Sequence, residues 1–122
     1  MVIDDEKDIL FILKTGLESK GGFAVNAFSS GETALQDFAS HSPDYYDLVL
    51  TDIRMPKMNG FELYRRIKEK DPSMPIAFIT AFEIKEDEFS KVMPSIKVRD
   101  FIRKPMRVPD LVQQINAILA AP

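Results

Sequence analysis

Leu48-Val49-Leu50-Thr51-Asp52-Ile53-Arg54-Met55-Pro56-Lys57-Met58-Asn59-Gly60 is the stretch on which the fold turns. Leu48 to Thr51 is apolar except for its last member, the pattern of a strand buried on both faces. An aspartate follows at once. Ile53 to Asn59 then reads as a loop, with Pro56 and Asn59-Gly60 as breakers. Phe61 to Lys70 carries Leu63 and Ile67 at helical spacing, and Asp71-Pro72 ends it. Strand, acid, loop and helix in that order form one βα unit.

The same unit recurs on either side. Met1-Val2-Ile3 stops at Asp4-Asp5, and Lys7 to Lys20 follows as a helix with Leu10, Leu13 and Leu17 on one side and Gly21-Gly22 as its stop. Phe23 to Phe28 reads as a second strand. Ser29 or Ser30 caps a helix with Leu35 and Phe38 inward, ending before Ser42-Pro43-Asp44. Pro75 to Thr80 is a fourth strand and Lys85 to Met93 a shorter helix stopped by Pro94. Val98 to Arg103 is the fifth strand, leading into Lys104-Pro105. Pro109 suits the first turn of a last helix striped by Leu111, Ile115 and Ile118. Five βα units in series predict an α/β domain: a doubly wound, five-stranded parallel sheet with helices on both faces and right-handed crossovers.

Composition narrows the class. A chain of 122 residues is one domain, and 45% hydrophobic with 29% charged residues is globular. A net charge of -3 argues against a general grip on nucleic acid. The absence of cysteine excludes disulfides, a thiol nucleophile and zinc-thiolate sites, and suits a cytoplasmic setting. No apolar stretch approaches membrane-spanning length, and no signal peptide opens the chain. The first apolar run is shorter than the five or six residues usual for a strand. The chain is therefore expected to enter that strand partway, and to be one domain over 1–122 taken from a larger regulator, with a stand-alone protein as the other possibility.

Parallel sheets place chemistry at the carboxyl ends of their strands. That edge would gather Asp4, Asp5 and Asp52 with the hydroxyl of Thr80 and the ammonium of Lys104. Two unit charges 4 Å apart repel by about 4 kcal/mol at an effective dielectric near 20, so the acids take up protons or a cation. Mg²⁺ suits oxygen ligands and tolerates retained waters and phosphate. Capping of the first helix is the alternative use of Asp4 and Asp5. Asp52, central among these groups, is placed as a nucleophile toward phosphorus. Mg²⁺, Lys104 and Thr80 would each serve one phosphoryl oxygen.

Together these residues resemble the receiver domain of two-component response regulators, over essentially the whole chain. Asp4-Asp5 is similar to that family's acidic pair, and Asp52 in Thr51-Asp52-Ile53-Arg54-Met55-Pro56-Lys57-Met58-Asn59-Gly60 to its phospho-acceptor motif. Thr80-Ala81 is similar to its switch hydroxyl and the small residue beyond, and Lys104-Pro105 to its lysine. The resemblance implies a flavodoxin-like fold and a phosphorelay switch that processes no metabolite. It implies a sensor histidine kinase that phosphorylates Asp52 with Mg²⁺ as cofactor. Asp5, Asp52 and the backbone carbonyl of Arg54 would ligate the ion, with Asp4 acting through water. Phe101 falls on the switch aromatic, whose ring enters the space Thr80 vacates. An output domain or target protein would read the changed surface, and a homodimer would use the helix over 85–93, the strand over 98–103 and the last helix. The implied domain itself binds neither nucleic acid nor membrane. Two features depart from the family: Phe101 lacks a hydroxyl, and Pro94-Ser95-Ile96-Lys97-Val98-Arg99 stands where a Gly-Ala turn is usual.

Other residues carry less. His41, the only histidine, reads as a loop residue, and Met55 and Met58 as packing residues, since thioethers suit soft metals. Lys97, Arg99, Arg103 and Arg107 make a basic edge, while Glu83, Glu86, Asp87 and Glu88 suit a helix N-terminus. An Mg²⁺-dependent aspartyl-phosphate phosphohydrolase is the alternative function. Such enzymes want an acid two residues after the nucleophile, where this chain has Arg54. A nucleotide or flavin module would need a glycine-rich loop after the first strand, where Asp4-Asp5-Glu6 stands. A receiver kept only for docking would not need its acids, threonine and lysine intact.

Overall fold

A computed structural model describes residues 1–80, 101–103 and 107–120. β1 (Val2–Ile3), β2 (Ala27–Phe28), β3 (Val49–Asp52), β4 (Ile76–Thr80) and β5 (Phe101–Arg103) form one sheet. Its order is β2-β1-β3-β4-β5, and every pairing is parallel. The described helices are α1 (Lys7–Gly21), α2 (Gly31–Ser40), α3 (Gly60–Lys70) and α4 (Val108–Ala120). The predicted helix over 85–93 lies outside the described residues, with the predicted strand positions 98–100.

The short apolar runs become strands because their period of two serves both faces at once. Ile3, Val49, Ile76 and Phe78 enter one core with Phe38 of α2 and Leu63 and Ile67 of α3. Val2, Leu50, Ala77, Ile79 and Ile102 enter the other with Leu17 of α1 and Leu111 and Ile115 of α4. Fully burying a side chain of this kind contributes roughly 1.5–3 kcal/mol. The two cores therefore hold helices on both faces of the sheet, as the alternation of strands and helices predicts.

Helix ends follow local chemistry. Gly22 closes α1 at φ 68°, a left-handed position that glycine takes without strain, and its N–H donates to the Leu17 carbonyl. Ser30, not Ser29, caps α2, accepting from the Thr33 N–H at 3.2 Å. Asn59 caps α3, accepting from the Glu62 N–H at 2.9 Å. The predicted second strand over 23–28 is cut to Ala27–Phe28. A strand exists only where it has a neighbour, and β1, its partner among the described residues, begins at Val2.

A polar and aromatic knot closes the turn between α2 and β3. The Tyr46 hydroxyl donates to the Asp37 carboxylate and accepts from Asn26 Nδ2 at 3.1 Å. His41, at the C-terminal end of α2, lies 3.4 Å from Asp37 and stacks on Tyr45 with centroids 3.7 Å apart. Burial, then the Asp37 hydrogen bond, push the Tyr46 phenol up to about 12. The phenol is held neutral in the folded chain, so its stabilisation is complete below pH 10 and is lost as pH rises through about 12. Tyr46→Phe is expected to flatten that alkaline loss in urea-unfolding midpoints, while leaving the neutral-pH profile unchanged in shape.

α3 is set directly on the strand it follows. The Gly60 N–H donates to the Ile53 carbonyl at 2.7 Å. A Cβ at Gly60 would lie 2.4 Å from the Asp52 carbonyl oxygen and 2.9 Å from Ile53 Cα. Both obstacles are backbone, so neither can rotate away. Gly60→Ala is expected to destabilise the fold by about 1–3 kcal/mol, the usual cost of overpacking. It should also displace the Asp52 backbone, read as amide chemical-shift changes at residues 52–54.

Candidate functional site

The carboxyl edge of the sheet is where the chain's buried acids meet. β1 delivers Asp4 to this edge and β3 ends on Asp52, with Ile3 paired to Thr51 between them. Asp4 is 1% exposed and Asp52 8%. A ligand oxygen of Asp4, of Glu6 and of Asp52 all lie within 4.8 Å of one another. Among the described residues this is the group of acids that one ion could span.

Each member is held by local backbone chemistry. Asp52 Oδ1 accepts from the Ile53 N–H at 2.8 Å, and the Thr51 hydroxyl donates to the Asp52 carbonyl at 2.9 Å. Asp4 Oδ1 accepts from the Glu6 N–H at 2.9 Å, folding the turn so that Glu6 comes back toward Asp52. Glu6 is the N-terminal cap residue of α1, and its side chain makes no capping hydrogen bond. The acidic side chain that bonds backbone at the start of α1 is that of Asp4, through the Glu6 N–H.

Glu6 was not among the residues expected at the site. The signal was present as an acid two positions beyond Asp4, but only the turn geometry reveals that it points the same way. Asp5 is half-buried and lines a groove beside the acidic group, with Lys7, Ser30, Thr33, Pro56 and Lys57. The loop after Asp52 is shaped by a three-residue turn. Met58 N–H donates to the Pro56 carbonyl at 2.7 Å across Lys57, which sits at φ 67°. Met55 is buried in the core and Met58 packs against it, so both methionines pack as expected. Arg54, exposed, follows Ile53 in this loop.

The backbone of Thr80 ends β4 at the same edge, one residue past the Asp52–Ile79 pairing, and pairs with Arg103 of β5. Lys104 lies outside the described residues, as do Lys97, Arg99 and the acids at 83, 86, 87 and 88. Phe101 is half-buried on β5, its ring stacked on Phe78 with centroids 5.3 Å apart and planes 23° from parallel. Phe61 meets the same Phe78 ring edge-on at 5.3 Å. The aromatic packing thus runs from the start of α3 to β5.

The donor set tests what ion the site could take. It is oxygen only, it includes two buried carboxylates, and the chain has no cysteine. That composition fits a hard divalent cation with retained waters, and fits a soft metal poorly. No described helix is long and apolar enough to cross a membrane.

Comparison with known proteins agrees with this geometry. The model of the response regulator receiver domain matches residues 1–116. The alkaline phosphatase synthesis transcriptional regulatory protein PhoP of Bacillus subtilis is 32% identical over 98% of this chain and 47% of its own length. The response regulator receiver protein CpdR of Brucella abortus is 35% identical over 99% of this chain and 96% of its own. The CheX–CheY–BeF3–Mg²⁺ complex of Borrelia burgdorferi includes a chain 26% identical to this one, with a TM-score of 0.82 over 98% of this chain and 87% of that one. The chain spans about half the length of PhoP and of the other curated relatives first matched. With its sheet order, its acidic carboxyl edge and a family match across nearly all its length, the chain belongs to the response regulator receiver domains, signalling modules of two-component systems and not enzymes.

Proposed function

We propose that Asp52 accepts a phosphoryl group from the phosphohistidine of a sensor histidine kinase, with Mg²⁺ bound at the acidic edge. The observation that carries this reading is the buried Asp52 carboxylate with Asp4 and Glu6 oxygens within 4.8 Å. Asp52, the carbonyl of Arg54 and Asp5 are the proposed direct ligands, with Asp4 acting through water. Glu6 joins them as a further acid within reach. When bound, the ion neutralises charge on the transferring phosphoryl oxygens.

Transfer needs placement more than covalent machinery. A carboxylate oxygen of Asp52 attacks phosphorus as the phosphorus–nitrogen bond breaks, and the bonding pair stays on the departing imidazole nitrogen. The Ile53 N–H fixes Asp52 Oδ1 at 2.8 Å and so orients the carboxylate. Lys104 contributes an ammonium to a phosphoryl oxygen, and the Thr80 hydroxyl moves to donate to another.

That movement is the proposed switch. Thr80 moving inward opens space beside the Phe101 ring, whose present seat is against Phe78. Phe101 has no hydroxyl, so its response is one of packing alone. The surface that changes comprises β5, α4 and the segment over 85–93. Its readers are an output domain on the same polypeptide, a separate target, or a second copy.

Asp52→Asn is expected to reduce labelling by a small phosphodonor with Mg²⁺ to background, read by intact mass. Labelling at an undiminished rate would remove Asp52 as the acceptor. Asp4→Asn should weaken divalent-ion binding about 10- to 100-fold, as loss of a residue acting behind the ligands does. Chelation of the ion should stop labelling in the unaltered protein.

Lys104→Ala is expected to separate two readouts. Labelled Asp52 should still form, while amide shifts in β5 and α4 stay at their unlabelled positions. Shifts that move as fully as in the unaltered protein would detach Lys104 from the switch.

A further inference from the structure

Glu6 is an acid at the carboxyl edge that phosphoryl transfer to Asp52 does not require, and its backbone is pinned on both sides. The N–H donates to Asp4 Oδ1 at 2.9 Å, and the carbonyl accepts from the Leu10 N–H at 2.9 Å. A side chain at the N-terminal cap ordinarily accepts from the first N–H groups of its own helix. That of Glu6 makes no such bond. Its carboxylate lies instead within 4.8 Å of ligand oxygens of Asp4 and Asp52, and it is exposed where those two are buried. Among the described residues Glu6 enters no ion pair. Carboxylates this close repel one another, and a cation relieves the repulsion.

Hard cations differ in how they use such a set. Mg²⁺ holds oxygens at about 2.0–2.1 Å in a near-ideal octahedron, keeps several waters and takes one or two carboxylates. Opposite oxygens on it therefore stand about 4.0–4.2 Å apart. Ca²⁺ takes roughly six to eight oxygens at about 2.3–2.6 Å in a looser geometry, so its opposite oxygens stand about 4.6–5.2 Å apart. Separations of up to 4.8 Å among Asp4, Glu6 and Asp52 are within the span of Ca²⁺ with no backbone movement. A third carboxylate from the chain also fills coordination that Mg²⁺ leaves to water.

We propose that Glu6 sets the ion preference of the acidic edge: its carboxylate binds Ca²⁺ directly, while Mg²⁺ leaves it to a bound water, so that Ca²⁺ competes with Mg²⁺ for this site. The affinity of an oxygen site for Ca²⁺ rises with the number of charged ligands it offers, and Glu6 adds one to the buried pair. This inference rests on the acidic edge being the cation site of the proposed function and extends it to a second ion and a further residue. Asp8 supplies the control. It is an exposed acid in the first turn of the same helix, outside the group that one ion could span.

The test measures Kd for Mg²⁺ and for Ca²⁺ from amide chemical shifts in the unaltered protein, Glu6→Gln and Asp8→Asn. Glu6→Gln removes the charge and keeps both the side-chain length and the backbone bond to Asp4. It is expected to weaken Ca²⁺ binding by about tenfold or more, the scale on which losing a group that supports an ion acts, and Mg²⁺ binding by less than about threefold. Asp8→Asn removes the same charge and is expected to change either Kd by less than about threefold, since salt screens a charge that touches no ion. Equal weakening of both ions by Glu6→Gln, or none of either, would overturn the role of Glu6 while leaving the Mg²⁺ site in place. So would Mg²⁺ binding without Ca²⁺ binding in the unaltered protein, or an Asp8→Asn loss of Ca²⁺ as large as that of Glu6→Gln. Absence of Mg²⁺ binding in the unaltered protein would instead remove the cation site itself, and the proposed function with it.

Discussion

β3 is hydrogen-bonded to β1 on one edge and β4 on the other, and helices cover both of its faces. Nothing polar can be carried along such a strand except at its ends. Thr51, fully buried, meets this constraint by donating to the carbonyl of the next residue. Asp52 meets it by lying at the last position, where its carboxylate leaves the sheet and takes the Ile53 N–H. The chemistry of the domain is confined to the carboxyl edge because the rest of the central strand has no room for it.

The loop after Asp52 extends that constraint into α3. Gly60 rests on the Asp52 carbonyl and Ile53 Cα, so the helix start and the acid move as one body. The turn across Lys57 shortens the path between Met55, buried in the core, and Asn59, the helix cap. Strain at one non-glycine residue with positive φ is offset by a short, stiff loop. A stiff loop is what a group that must face an in-line partner requires, since small misplacements cost large factors in rate.

Much of this was legible in the residues. Apolar runs of three to five residues ending in acids, a hydroxyl and a lysine predict strands, and the helical stripes of Leu17, Leu63, Ile67, Leu111 and Ile115 all turn out buried. What was not legible depended on neighbours. Phe23 to Asn26 has strand-like residues, but pairing needs a second chain segment beside it, and propensity says nothing of that. Glu6 joins Asp4 and Asp52 only because the Asp4 side chain folds the turn back. Asp5 looks equivalent to Asp4 in the sequence, yet alternation sends the two to different environments, one buried and one half-buried.

The two ends of the sheet are opposite in chemistry for one physical reason. Strand alternation gives the faces to apolar side chains, so polar and charged groups are displaced to the ends. At the carboxyl end the βα turns bring helix starts and backbone N–H groups, which tolerate clustered acids and the anions and cations they attract. At the amino end the chain enters through segments such as 23–26 and 46–48, which bring Phe23, Val25, Tyr46 and Leu48 to that edge. The clustered acids therefore gather at the carboxyl edge, while mainly apolar and aromatic residues line the amino edge.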